Sequence, residues 1–207
     1  MGTVARMPAT TSLHEHALGL SWVVDEPMER ASHAVVDDDG RVWLMDVVDD
    51  AAAMARVADL GAPAAVVQLL DRHPRDCAAV AKRLGVPHLR LPSALPGSPF
   101  EVRDVVQVPR WREVALWWPA RKALVVAEAV GTGRYFAVGS GPVGVHPWLR
   151  MVPPRGSLGG LEPDVLLTGH GPPLTGPGTA EALREALDRS RRDVPRMLGG
   201  LLAAARR

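Results

Sequence analysis

The chain is poor in several features that define particular classes of protein. It contains one cysteine, Cys77, so an internal disulfide bond is excluded. No apolar run approaches the ~20 residues that a membrane-spanning helix requires, and residues 1–12 lack the hydrophobic segment of a secretory signal. A net charge of +1 gives no long-range field to attract nucleic acid or an anionic membrane. We therefore expect a cytoplasmic protein that binds neither nucleic acid nor a membrane.

The remaining composition is that of a globular protein, with 47% hydrophobic and 23% charged residues in 207. We predict a flexible N-terminus over residues 1–17 and a single domain over residues 18–207. Gly-rich and Pro-rich stretches indicate loops at 91–99 and 131–155. Apolar periodicity predicts strands at 19–24, 34–37, 41–48, 64–70 and 86–91, and helices at 51–60 and 76–84.

The last part of the chain, from about residue 179 to residue 207, is predicted to be helical. Thr179 is a candidate N-cap, and Pro195 marks a kink or the start of a second helix. The expected apolar stripe consists of Leu183, Leu187, Val194 and Leu198. Because strands and helices are interleaved along the chain, pattern alone indicates an α/β or α+β protein.

Residues 71–77, Asp-Arg-His-Pro-Arg-Asp-Cys, directly follow the predicted strand at 64–70. They resemble the Thr-His-x-His-x-Asp-His signature of the metallo-β-lactamase superfamily. Asp76 matches the motif aspartate, whereas Arg72, Pro74 and Cys77 stand at the three histidine positions. The frame of the signature is thus retained without its histidines.

Three further segments resemble the same superfamily and follow its order. Residues 32–46 are similar to the first hairpin, with an Asp-Gly turn and with Asp46 at the end of the second strand. Residues 114–130 are similar to a later hairpin, with Glu128 where a metal-bridging aspartate is expected. Residues 164–173 are similar to the strand and Gly-His-Gly loop that supplies the last ligand, here His170.

The resemblance implies an α+β fold, a four-layer αββα sandwich of the glyoxalase II-like metallo-hydrolase type. In this family two metal ions are bound. The first set of ligand positions corresponds here to Arg72, Pro74 and Pro109, none of which is a normal zinc ligand, because guanidinium stays protonated and proline has no side-chain donor. The resemblance therefore implies that the first metal site is lost.

The second set of ligand positions keeps four side chains that can coordinate zinc: Asp76, Cys77, Glu128 and His170. A structural interpretation stays open beside this one. Cys77 can be a small apolar residue at a helix start, Asp76 a carboxylate at the same helix terminus, His170 a loop residue, and Glu128 the partner of an arginine. His73 lies between motif positions, is not a ligand in the family, and is interpreted as a solvated loop histidine.

We therefore expect a pseudoenzyme without a cofactor, whose former metal cleft binds a small anionic molecule or a protein partner through Arg72, Arg75 and His170. The alternative is an enzyme with one zinc ion, in which Asp76 and Glu128 are catalytic and the substrate is an ester, thioester or lactam. A third possibility is a structural subunit, and a homodimer is left open. His14, His16 and His33 support no metal site.

Overall fold

The computed structural model describes residues 10–139 and 141–195, and these residues form two β-sheets with helices on their outer faces. The first sheet has six strands, which lie side by side in chain order. They are β1 (Thr11–His16), β2 (Gly19–Val24), β3 (Ala31–Val36), β4 (Arg41–Met45), β5 (Ala62–Gln68) and β6 (His88–Arg90). The first four strands are antiparallel to one another, whereas β5 and β6 continue the sheet in parallel.

The remaining strands are β7 (Glu101–Val108), β8 (Trp111–Trp118), β9 (Ala123–Val126), β10 (Val130–Gly131), β11 (Gly144–Val145), β12 (Val165–Thr168) and β13 (Leu174–Thr175). Five of them form the second sheet, in the order β13-β12-β9-β8-β7, and the other two, β10 and β11, form a separate two-stranded ribbon. Within the second sheet β9 and β12 are parallel, and the other neighbours are antiparallel.

In the part of the chain that the structure describes, four α-helices flank the sheets: α1 (Ala51–Leu60), α2 (Cys77–Leu84), α3 (Arg155–Leu158) and α4 (Thr179–Arg189). The strand β4 shows how the layers are built, because its residues alternate between two cores. Val42 and Leu44 pack with α1 and α2, whereas Trp43 and Met45 point into the core between the sheets. The α+β sandwich implied by the resemblance is therefore confirmed, with α1 and α2 outside the first sheet and α4 on the side of the second.

Several predicted elements are confirmed with small shifts of their ends. The strand at 19–24 and the helix at 51–60 have the predicted bounds. The helix α2 begins one residue later than expected and ends at Gly85, whose φ of 69° is the left-handed conformation that glycine adopts easily. Strands β7 and β13 were not predicted, because β7 lacks a clean alternation of apolar residues and β13 has two residues.

The ends of the chain differ from expectation. Residues 11–16 were assigned to a flexible N-terminus, but they form the edge strand β1 and pair in register with β2. Thr179 is the first residue of α4, and the N-cap is Gly178. Leu183 and Leu187 are buried as predicted, whereas Leu198 lies outside the described residues. Within the described part of the chain, no helix is long and apolar enough to cross a membrane.

The fold brings four chain segments to one edge of the two sheets. Asp46 and the 71–76 loop follow strands β4 and β5, and Glu128 and His170 each lie two residues after the end of strands β9 and β12. Because β4 and β5 are parallel, as are β9 and β12, the carboxyl ends of each pair meet. The polar side chains that follow these strands therefore surround one cleft.

Candidate metal and ligand site

Two histidines face each other across this cleft. His170 Nε2 lies 3.3 Å from His73 Nε2, and His170 Nδ1 lies 2.8 Å from the carbonyl oxygen of Met28. His170 is 3% exposed. Burial lowers the pKa of His170 to about 3, with a smaller contribution from the nearby Arg75 charge. The His170 imidazole is therefore neutral at physiological pH.

Asp46, at the end of β4, supports the His73 side of the pair. One oxygen, Oδ1, accepts a hydrogen bond from the backbone N–H of Leu69. The other oxygen, Oδ2, lies 3.5 Å from His73 Nδ1 and has no hydrogen-bond partner among residues 10–139 and 141–195. Burial opposes ionisation of Asp46, but the His73 imidazole and the Arg75 charge together hold its pKa below the ordinary value. A charged carboxylate thus lies directly behind His73.

Arg75 places a partly buried positive charge beneath the two imidazoles. Its guanidinium donates hydrogen bonds to the carbonyl oxygens of Ala31, Asp46 (2.6 Å) and Gly169 (2.8 Å). These three acceptors belong to β3, to the end of β4 and to the loop after β12. Arg75 therefore joins the two sheets at the base of the cleft, and its Nη2 lies 3.4 Å from His73 Nδ1.

Arg72 and Glu128 form an ion pair at the side of the cleft, as the structural interpretation of the sequence expected. Arg72 Nη2 lies 2.6 Å from Glu128 Oε2. The guanidinium also stacks on the ring of Trp111, at 4.3 Å from its centroid, and lies 5.7 Å from that of Trp148. Trp148 is 74% exposed. An aromatic surface therefore adjoins the charged wall of the cleft.

Glu113 fixes the backbone that carries Glu128. Its Oε1 accepts hydrogen bonds from the N–H groups of Glu128 (2.8 Å) and Ala129 (2.9 Å). Its Oε2 accepts a hydrogen bond from Trp111 Nε1 at 3.1 Å. Glu113 is completely buried, and burial raises its pKa to about 7. The position of the Glu128 carboxylate is thus set by a second, inner carboxyl group.

The cleft has a volume of about 580 Å³. Two charged pairs stand at its rim, because Arg30 is paired with Glu26 and Arg72 is paired with Glu128. The lining includes Met28, Arg30, Arg72, His73, Glu128 and His170. Three donor groups, from His73, Glu128 and His170, have ligand atoms within 4.8 Å of one another.

The predicted four-ligand zinc set is not assembled. Glu128 and His170 lie at the cleft, but Asp76 and Cys77 lie outside this group of donors in the described part of the chain. Asp76 Oδ2 accepts a hydrogen bond from the N–H of Asp49 at 2.8 Å, at the start of α2. Cys77 points into the core between the first sheet and the outer helices, where burial raises the pKa of its thiol to about 12. Within the described residues the structure therefore does not bring Asp76 and Cys77 together with Glu128 and His170, and the roles of Asp76 as a catalytic residue and of Cys77 as a thiolate ligand stay predictions.

His73 is the site residue that the sequence interpretation missed. It was assigned to solvent, but its side chain is 12% exposed and faces His170. A sequence signature specifies residue types at fixed positions and leaves the residues between those positions undefined. Arg75, another residue between motif positions, has a φ of 41° in the same loop, and such a local backbone conformation decides which side chains turn inward. The sequence signal available was the strand-terminal Asp46, whose buried carboxylate requires a donor.

The donor chemistry distinguishes between the two metal sites of the family. Arg72, Pro74 and Pro109 offer no ligand atom, so the residues present do not fit a first metal ion. Two imidazoles and a carboxylate at the cleft fit one ion of zinc type, since neutral imidazole and carboxylate are recognised donors.

Comparison with known proteins supports the fold alone. No protein-family model matches the sequence, and no curated protein matches it significantly. A metallo-β-lactamase from Erythrobacter litoralis is similar in structure, with a TM-score of 0.55 and 11% identity over 88% of this chain and 92% of the other. The DIM-1 metallo-β-lactamase, in a structure exposed to ceftazidime, has a TM-score of 0.52 and 15% identity over 88% and 91%. The BLEG-1 B3 metallo-β-lactamase has a TM-score of 0.50 and 16% identity over 80% and 94%.

The chain therefore has the metallo-β-lactamase fold, as the sequence resemblance implied.

Proposed function

We propose that the protein is a pseudoenzyme of this fold, without the two-metal hydrolytic centre, and that its cleft binds a small organic anion. The observation that carries the proposal is the partly buried guanidinium of Arg75 below the cleft, which donates to three backbone carbonyls. A guanidinium is permanently charged and cannot coordinate a metal. Unlike a bound metal ion, the Arg75 guanidinium cannot dissociate from its position. Its fixed positive charge repels a metal cation nearby.

Arg72 is the side chain best suited to bind the anion. Its side chain is 33% exposed, and its stacking on Trp111 holds the guanidinium plane in one orientation. A ligand carboxylate or phosphate can replace Glu128 as its partner, and the apolar part of the ligand can lie on the exposed ring of Trp148. The same chemistry fits an acidic side chain of a protein partner. The expected ligand is therefore an anion with an aromatic or aliphatic body.

The binding proposal is tested by titrating the protein with benzoate, phenyl phosphate and the neutral analogue benzyl alcohol while tryptophan fluorescence is recorded. Both anions should bind more tightly than the alcohol. Arg72→Met should raise the Kd of the anions by about 10-fold to 100-fold, because a charge-assisted hydrogen bond is lost. Arg103→Met, at an exposed ion pair on β7, is the matched control. Equal affinity of the Arg72 variant and the wild type would refute the assigned role.

A second candidate function is a hydrolase that uses one metal ion, and the juxtaposition of His73, Glu128 and His170 favours it. A bound zinc ion supplies Lewis-acid polarisation and a lowered pKa of water. Arg72 would orient the carboxylate of an ester, thioester or lactam substrate. Zinc-supplemented and chelator-treated protein should then differ in turnover of p-nitrophenyl acetate, a thioester and a chromogenic lactam. No difference on all three would leave the binding protein as the function.

A further inference from the structure

The protonation of His170 is fixed by its surroundings. Its Nδ1 lies 2.8 Å from the carbonyl oxygen of Met28, which can only accept a hydrogen bond. The proton of the neutral ring must therefore be on Nδ1. His170 Nε2 then carries a lone pair, and that lone pair is directed at His73.

Two charged groups lie behind His73 Nδ1. Asp46 Oδ2, which can only accept, is buried, lies 3.5 Å from this nitrogen and has no other partner within the described ranges. Arg75 Nη2, which can only donate, lies 3.4 Å from the same nitrogen. With its proton on Nε2, His73 donates a hydrogen bond to His170 Nε2 at 3.3 Å. With its proton on Nδ1, His73 directs a second lone pair at His170 Nε2, and a cation between the two nitrogens would stabilise this arrangement.

We propose that His73, His170 and Glu128 form a binding site for one divalent transition-metal ion, with zinc as the best fit. Zn–N bonds of about 2.0–2.1 Å at a tetrahedral angle place two nitrogens about 3.3 Å apart, which is the observed separation. The Met28 carbonyl and the Asp46 carboxylate orient the two rings in the way that outer groups orient metal-binding histidines.

Glu128 can be the third metal ligand and still keep its ion pair with Arg72. Its Oε2 is engaged by Arg72, whereas Oε1 faces His146 Nε2 at a longer distance of 3.7 Å. One carboxylate oxygen can therefore turn to the metal while the other keeps the ion pair. The charges of Arg72 and Arg75 weaken the attraction for a cation and restrict the site to one ion. The position of His73 is not a ligand position in the family that the sequence resembles, and the inference does not rest on the proposed anion binding.

The competing state is metal-free, with a proton shared by the two Nε2 atoms in an N–H···N hydrogen bond. A metal titration distinguishes the two states. Protein purified without a histidine tag and treated with EDTA should bind one Co²⁺ per chain, with the visible absorption of a low-coordinate site, and one Zn²⁺ should displace it. Absence of stoichiometric binding at neutral pH would overturn the proposal and leave the shared proton.

Variants assign the ligands. His73→Gln and His170→Gln should each abolish stoichiometric binding, and Asp46→Asn should weaken it by about 10-fold to 100-fold. Two control variants should bind the metal as the wild type does. They are Cys77→Ser, in the core between the first sheet and the helices α1 and α2, and His88→Gln, on β6. Loss of binding in Cys77→Ser with binding retained in His73→Gln would contradict the proposed ligand set.

A second measurement uses the wild-type protein alone and therefore does not depend on whether the variants fold. Long-range ¹H–¹⁵N NMR of the wild-type imidazoles should show the Nε2 resonances of two histidines shifting on addition of Zn²⁺, with both Nδ1 atoms protonated in the zinc-bound state. No change in either ring would overturn the proposal. Because binding of benzoate is measured separately and without metal, failure of the metal site and failure of the anion site are distinguishable.

Discussion

Individual residues of the 71–77 segment have environments that their motif positions do not predict. His73 turns into the cleft, whereas Cys77, four residues later, is completely buried in the core outside the first sheet. Of the two interpretations that the sequence offers for Cys77, its burial favours the small apolar residue at a helix start over the zinc ligand. Function at this site therefore depends on the direction of each side chain, and a match to a sequence motif does not predict that direction.

The burial of Cys77 leads to a prediction about its reactivity. Because burial raises the pKa of the thiol to about 12, almost no thiolate is present at pH 8. We expect a disulfide reagent to modify native protein slowly and urea-unfolded protein at once, as measured by absorbance of the released thiol. Rapid modification of the native protein would show that Cys77 is accessible and ionised.

Arg75 is expected to be essential for stability. Arg75→Met leaves three carbonyl acceptors without their donor and removes the positive charge beside the Asp46 carboxylate, so we expect a loss of about 3–5 kcal/mol in the free energy of unfolding. Arg83→Met is the control, since its ion pair with Asp49 is half exposed and should contribute less than about 1 kcal/mol. Urea denaturation measures both. Similar values for the two variants would contradict the structural role of Arg75.

Among the elements, the loop after β12 is the one that positions His170. The carbonyl oxygen of His170 accepts hydrogen bonds from the N–H groups of Thr132 and Gly133, both at 3.0 Å. A Cβ atom added at Gly171 would lie 2.1 Å from the backbone nitrogen of Gly133. Glycine is therefore required here because two backbone segments touch.

Two glycines with the same conformation provide a matched test of that contact. Gly171 and Gly176 both have a φ of 94°, but a Cβ at Gly176 meets nothing within 4 Å among the residues that the structure describes. Gly176→Ala should cost about 1 kcal/mol from backbone strain alone, whereas Gly171→Ala should cost clearly more and weaken metal binding. Thermal unfolding and Co²⁺ titration provide the two readouts. Equal effects of the two substitutions would show that the close contact is unimportant.

The elements differ in how well the sequence predicts them. The helix α1 and the strand β2 are predicted with correct bounds, because their apolar spacing is regular. The edge strand β1 has no such pattern, and five of its six residues are polar. Its pairing with β2 is stabilised by backbone hydrogen bonds that leave no trace in the side-chain pattern.

At the scale of the whole molecule, the resemblance predicted the layers and the cleft, but not which donor side chains meet in it. The segments that end at Asp46, Glu128 and His170 are recognisable in sequence, and the two sheets bring them to one edge. The contribution of His73 could not be predicted, since it depends on the shape of the 71–76 loop and on a contact with a residue 97 positions away.

Buried histidines are expected to make the stability of the molecule depend on pH. Burial lowers the pKa of His33 and of His170 to about 3, whereas an unfolded histidine takes up a proton near pH ~6.5. The unfolded chain therefore binds more protons below that pH, and the free energy of unfolding should fall as the pH is lowered from about 6.5 towards 4. Glu113, with its raised pKa, acts in the opposite direction between about 4.5 and 7.

His33→Gln isolates one contribution. The stability deficit of this variant should shrink by about 1.4 kcal/mol for each pH unit below 6.5, because the wild type alone loses stability through His33. Urea denaturation at several pH values in the presence of EDTA measures the difference. A constant deficit across that range would mean that His33 is not held neutral in the folded protein.

The most direct measurement is anomalous diffraction at the zinc absorption edge from crystals of zinc-treated protein. We expect one zinc peak per chain, bonded to the Nε2 atoms of His73 and His170, with the Arg75 guanidinium still bound to the carbonyls of Ala31, Asp46 and Gly169. Two peaks in the cleft, or a peak bonded to Asp76 and Cys77, would contradict the replacement of the two-metal centre by a partly buried arginine and a single histidine-pair site.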